Sequence, residues 1–236
     1  MCGRYTIRTL QPVVDMFGLA LPEDFPPRYN IAPTADVPVV RAAAPAEGKE
    51  PTPGARRLDL LQWGLVPSWA DDPSVGNRMI NARAETAAER PAFRKAMQQR
   101  RCLIPADGFY EWKKLEPAKA RGGHKQPYLF RMKGDKPFAF AGLWETWWKG
   151  GEKLESFTIL TTSPNELVAT VHDRMPVIVA PRDYDRWLDP RRNTTDVQDL
   201  LRPYPAAEMV ASPVGTRVNS PTNDDPSCAE AEKAWE

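Results

Sequence analysis

Proline limits this chain more than any other residue. There are 25 prolines among 236 residues, about twice the roughly 5% typical of proteins. Each one fixes φ and removes a backbone donor. The chain is therefore predicted to be rich in turns and irregular connections, with short elements between them. The length suffices for a well-buried core. With 27% charged and 42% apolar residues, long disorder, coiled coil and collagen are excluded. Apolar runs are only a handful of residues, against about 18 for a membrane span.

Between the prolines the pattern is mixed. Leu10–Phe17 reads as a helix, with Thr9 able to cap it and Gly18 able to end it in the left-handed conformation. Val37–Arg41 and Leu58–Leu65 read as strands, and residues 43–55 as a loose loop. Ala82–Gln99 reads as a helix broken by Pro91. Short β-branched and aromatic segments follow at Cys102–Ile104, Gly108–Lys113, Pro127–Met132, Phe138–Trp144 and Ser156–Thr161. Ser163-Pro164-Asn165-Glu166 reads as a capping box opening a short helix. Val177–Ala180 reads as a strand, Asp183–Leu188 and Thr195–Leu201 as helices, and Met209–Ala211 and Thr216–Asn219 as last strands. Gly122-Gly123 and Gly150-Gly151 read as turn tips. The expectation is an α+β fold: one domain over residues 1–225 with an antiparallel, partly closed, barrel-like sheet and flanking helices. Residues 226–236 are expected to form an acidic tail.

The chemistry begins at the second residue. Loss of Met1, favoured by the small side chain after it, leaves an N-terminal Cys2 with amine and thiol on adjacent carbons. The α-amine has a pKa of about 7.7–8.0, against about 10.4 for lysine. A usable fraction is neutral at physiological pH and condenses with an aldehyde to an imine. The neighbouring thiol then closes a five-membered thiazolidine, which no internal cysteine can do. The alternative is an N-terminal-nucleophile hydrolase, in which the amine serves as base for the thiol. Three cysteines without a C-x-x-C pair and two histidines argue against a disulfide framework or a metal site.

Three further positions carry candidate chemistry. Glu111 lies among aromatics in Gly108-Phe109-Tyr110-Glu111-Trp112, where desolvation raises a carboxyl pKa. It can equally face outward on an alternating strand. His172, in Val171-His172-Asp173-Arg174-Met175-Pro176, titrates near neutrality or serves as a hydrogen-bonded structural histidine. Asn81 opens Asn81-Ala82-Arg83-Ala84-Glu85, where a plain helix cap is the simplest role. Net charge is only +1, yet residues 78–101 hold seven Arg/Lys against two Glu, and 221–236 hold five acids against one Lys. A basic face offset by an acidic end looks neutral in the sum. Two of the eight tryptophans flank a turn in Trp63-Gly64-Leu65-Val66-Pro67-Ser68-Trp69. Exposed aromatics beside basic residues grip single-stranded nucleic acid; most of the eight are expected in the core.

Taken together, MCGRYT at Met1, RYNIAPT at Arg28, WGLVPSW at Trp63, NARAET at Asn81, CLIPADGFYEWKK at Cys102, HDRMPVIV at His172 and RVNSPTNDDP at Arg217 resemble the SRAP (SOS-response-associated peptidase) family. Its members include HMCES-like abasic-site processing proteins. The blocks span nearly the whole chain in order. The resemblance implies a sensor of abasic sites in single-stranded DNA, forming a thiazolidine crosslink with the ring-opened sugar. It implies Cys2 as nucleophile, Asn81 orienting it, Glu111 moving protons and His172 assisting sugar-ring opening. Arg4, Arg83 and Arg174 are expected on phosphates, with Thr161 and Ser163 nearby, and Pro33 and Trp69 lining the DNA. No cofactor, metal or membrane is expected. The first residues lack a secretion-signal pattern, so a cytoplasmic, DNA-associated monomer is expected.

Overall fold

The short apolar segments find their partners far along the chain. The computed structural model describes residues 2–20, 22, 25–44, 52, 54–115 and 125–232. Five strands close a ring: β3 (Asp36–Ala42), β4 (Arg56–Trp63), β6 (Arg101–Ala106), β9 (Phe138–Lys149) and β10 (Glu152–Thr162). The order around it is β10-β4-β3-β6-β9, and β9 returns to β10 through the Gly150-Gly151 turn. Both glycines have positive φ, so the turn read from sequence is present. All ring pairings are antiparallel except β10 with β4. Closure removes the edges that an open sheet exposes.

A second, antiparallel sheet packs beside this ring. Its order is β13 (Met209–Pro213), β8 (Lys125–Met132), β7 (Gly108–Lys114), β1 (Tyr5–Ile7) and β2 (Arg28–Ile31). The two share one core. Tyr5 of β1 sets its ring edge-on to Trp63 at 5.3 Å and Phe140 at 5.7 Å, and Phe109 of β7 meets Phe140 at 6.1 Å. The fold is thus α+β with a barrel and flanking helices, as expected.

The first helix, α1, spans Leu10–Phe17 and ends at Gly18 with φ 63°. Other local readings need correction. Ala82–Gln99 is not one broken helix. Strand β5 (Asn81–Arg83) precedes the short α2 (Ala84–Ala87) and α3 (Arg94–Gln99). Asn81 is therefore a strand residue rather than a helix cap, because pairing with β10 overrides the local signal. Ser163 does not cap the next helix. Asn165 does, accepting from Val168 N at 2.9 Å, and α4 spans only Glu166–Ala169. Residues 194–200 and 216–219 are 3₁₀ turns, so the last expected strand at Thr216–Asn219 is absent. Val177 lies between two two-residue strands, β11 (Met175–Pro176) and β12 (Ile178–Val179). The α5 helix (Tyr184–Leu188) closes one side of the ring. Gly122-Gly123 and most of 43–55 lie outside the described residues. At the other end, Cys228 is buried and Ala231 bridges Val214, so packed structure continues past residue 225.

Candidate active site

Three segments distant in sequence meet at the start of the chain. Strand β1 lies antiparallel to β7, with Tyr5 opposite Phe109 and Thr6 opposite Gly108. Tyr110 N donates to Arg4 O at 3.0 Å. Continuing that register brings Gly3 alongside Glu111. Strand β5 runs parallel to β10, with Asn81 beside Ile159 and Arg83 beside Thr161. Alternation sends Asn81 and Arg83 to one face and the buried Ala82 to the other. On that face Asn81 Nδ2 donates to Cys2 O at 2.7 Å. Asn81 Oδ1 is buried without a hydrogen bond among the described residues.

Burial sets the electrostatics. Cys2 is wholly buried, and desolvation pushes its thiol well above the ordinary value. Among the described residues the thiol makes one long contact, 3.7 Å, to Arg4 O. Glu111 is 2% exposed, and burial raises its carboxyl to about 7. His172 Nε2 lies 3.9 Å from Glu111 Oε2. Burial holds the imidazole below its usual value, so it is neutral at physiological pH. Arg174 N donates to His172 Nδ1 at 3.0 Å, which places the proton on Nε2, toward Glu111. Asp173 Oδ1 also lies 2.9 Å from Nδ1, a contact that would favour the opposite tautomer. Asp173 is exposed and screened by water, whereas the amide is fixed by the backbone, so the amide decides.

The expected phosphate ligands differ in availability. Arg83 is exposed and forms no ion pair among the described residues. Arg174 is engaged: Nη1 and Nη2 bind Glu85 at 2.7 and 2.8 Å, and Nη2 also donates to Thr161 O at 2.6 Å. These bonds hold the Glu85 carboxyl below its normal range. Arg4 is half-buried, its guanidinium 5.9 Å from the Trp112 ring. Thr161 is buried, while Ser163 is exposed just beyond β10.

Pro33 and Trp69 sit on two turns joined through Trp63. Thr34 N donates to Trp63 O at 2.8 Å and Trp63 N to Ala35 O at 3.0 Å. Trp63 Nε1 donates to Ile80 O at 2.9 Å, next to Asn81. The turn carrying Trp69 closes against residues 73–78 through Gly64 and Gly76. A Cβ on Gly64 would fall 2.7 Å from Gly76 O, so no larger residue fits. Trp69 is left 64% exposed.

Residues 1–221 match the family described as SOS response associated peptidase (SRAP). The chain belongs to the SRAP family. Abasic site processing protein YoqW of Bacillus subtilis (strain 168) is 42% identical, the match covering 98% of this chain and all of that protein. Abasic site processing protein HMCES of Gallus gallus is 33% identical across 86% of this chain and 65% of its own length. A crystal structure of a Bacteroides thetaiotaomicron protein shares the fold with a TM-score of 0.82, at 23% identity, covering 98% of this chain and all of that one.

In this SRAP protein, then, Cys2, Asn81, Glu111 and His172 converge, with Arg4 and Arg174 beside them. Sequence reading missed Glu85, which occupies Arg174, and Asp107, which anchors the strand behind Cys2. A charged residue inside an apolar run, as in Pro105-Ala106-Asp107-Gly108-Phe109, was the available signal. A cavity of about 650 Å³ opens elsewhere, between Arg41, Trp144 and Arg191. None of the selected residues lines it, and its arginines are engaged, Arg41 by Asp59 and Glu155 and Arg191 by Asp189. Among the described residues no cluster of three His, Cys, Asp or Glu is arranged to hold a metal, and no helix is long and apolar enough to cross a membrane.

Proposed function

We propose that this SRAP protein recognises abasic sites in single-stranded DNA and captures them covalently through Cys2. The observation that carries this reading is the hydrogen bond from Asn81 to the Cys2 carbonyl, which fixes the second residue beside a carboxyl group raised to about 7. The names of the related proteins, which process abasic sites, point to the same substrate.

An abasic sugar is a hemiacetal in equilibrium with its open aldehyde. As the C1–O4 bond breaks, the Glu111 carboxylate takes the proton of the anomeric hydroxyl and returns it to O4, while His172 Nε2–H hydrogen-bonds O4 and keeps its own proton. The Met1-free amine of Cys2 attacks C1. Glu111 in its acid form protonates the departing hydroxyl, water leaves, and an imine remains. The Cys2 sulfur then bonds to C1 while its proton passes to the nitrogen. One water is lost overall and no oxidant or metal is needed. A thiol held neutral suits this order, since it must not compete with the amine for the aldehyde. A hydrolase would need the thiolate as its nucleophile, which burial of Cys2 disfavours, so the capture reading is preferred to amide hydrolysis.

In this reading the exposed Arg83 meets a phosphate, with Arg4 and Ser163 nearby. Arg174 meets one when Glu85 releases it. Pro33 and the exposed Trp69 flank the bases. Intact mass spectrometry of Met1-free protein incubated with a single-stranded oligonucleotide bearing one abasic site tests the proposal. The expected species weighs the sum of protein and DNA less one water. Unreacted protein and DNA alone would refute capture.

A further inference from the structure

We infer that Asp107 is the positioning residue that sets the register of the N-terminal strand and so delivers Cys2 to Glu111. The inference rests on the Cys2 reading above. Strand β1 has only three residues, and its pairing with β2 is irregular: Tyr5 faces Ile31 while Ile7 faces Arg28. So short a strand specifies register weakly by its ladder, and a slip of one residue would turn Cys2 to the opposite face.

Asp107 supplies what the ladder lacks. It is wholly buried between β6 and β7. Its Oδ1 accepts from Thr6 Oγ1 at 2.6 Å and Arg8 Nε at 3.1 Å. Its Oδ2 accepts from Arg8 N at 2.7 Å, Thr9 N at 2.9 Å and Thr9 Oγ1 at 3.0 Å. Asp107 N in turn donates to Thr6 O at 2.9 Å. A carboxylate offers about four lone-pair sites, so these donors saturate it. They come from Thr6, Arg8 and Thr9, three residues within a stretch of four, which only one register can present together.

The neighbouring glycine permits the approach. A Cβ on Gly108 would lie 2.8 Å from Thr6 Oγ1 and 2.9 Å from Leu129 Cδ1. The clamp is also covalently close to the chemistry, because Asp107 precedes the strand that carries Glu111 four residues on. One side chain therefore ties the segment bearing the amine to the segment bearing the proton donor. Asp107 itself touches no reacting atom.

The test compares Met1-free wild type with Asp107→Asn and with the milder, isosteric Thr6→Val. Crosslinking rate is read at saturating abasic-site DNA, affinity with the undamaged strand, and backbone amide hydrogen exchange without DNA. A displacement of about 1 Å costs on the order of 100-fold in a positioned reaction. Asp107→Asn is expected to slow crosslinking by about 10- to 100-fold, with affinity unchanged. Thr6→Val should fall between, and amides of residues 2–7 should exchange faster in both while β9 and β10 stay protected. Wild-type rates in either folded variant, with only a lower melting temperature, would overturn the inference. If Asp107→Asn does not fold, Thr6→Val decides alone. Absence of crosslinking by wild type would instead remove the Cys2 reading, and exchange at residues 2–7 would still decide whether Asp107 sets the register.

Discussion

Asn81 donates its side-chain amide to the main-chain carbonyl of Cys2 at 2.7 Å, across 79 residues of sequence. The bond holds the backbone rather than the thiol, leaving amine and sulfur free to react. Asn81→Ala removes one hydrogen bond, worth about 1 kcal/mol of stability. Its effect on chemistry should be larger, on the order of 10- to 100-fold in crosslinking rate at saturating DNA. Noncovalent affinity for undamaged single strand should hold. A thermal melt and a quenched time course separate the two effects.

Glu111 should shape the pH profile. Its acid form is lost as pH rises through about 7, while the Cys2 amine becomes neutral through about 7.7–8.0. Crosslinking by wild type is therefore expected to peak near pH 7.5 and fall on both sides. Glu111→Gln should be slower throughout and should lack the alkaline fall.

The same residue bears on stability. Its folded pKa lies above its unfolded value, so the folded state holds the proton more tightly. Stability from this group is complete below about pH 4.5 and is lost as pH rises through about 7, by roughly 3 kcal/mol in all. Glu111→Gln should thus melt higher than wild type at pH 8, with the gap closing toward pH 5. A gap that grows toward acid would show the opposite sign.

Arg83 and Arg174 should behave differently. Arg83 carries no ion pair among the described residues, so Arg83→Ala should weaken DNA binding and reduce the slope of log affinity against log salt by about 1. Arg174 ties α2 to β10 through Glu85 and Thr161. Arg174→Ala leaves Glu85 unpaired and should also lower the melting temperature. Salt titrations of both variants beside thermal melts test the distinction.

Local signals were legible where local physics decides. The α1 helix follows from the spacing of Leu10, Val13 and Phe17 and from Gly18 behind it. The chain order of blocks from Cys2 to His172 pointed to the residues that meet. The missed features are non-local. Asn81 looks like a cap in sequence, but β10 recruits it into a parallel pairing. Thr9, read as a cap, also donates its hydroxyl to Asp107 at 3.0 Å. Ser163 yields the capping role to Asn165, which also holds Tyr204 O at 2.7 Å. For Asn81 a partner distant in sequence overrides the local preference.

The central claim is covalent capture through Cys2. The most direct measurement is a denaturing gel of Met1-free protein with single-stranded DNA carrying one abasic site, comparing wild type, Cys2→Ala and Cys2→Ser. A band surviving heat and detergent is predicted for wild type alone. Cys2→Ser should yield a band only after borohydride traps the imine. A heat-stable band from Cys2→Ala, or none from folded wild type, would contradict the account.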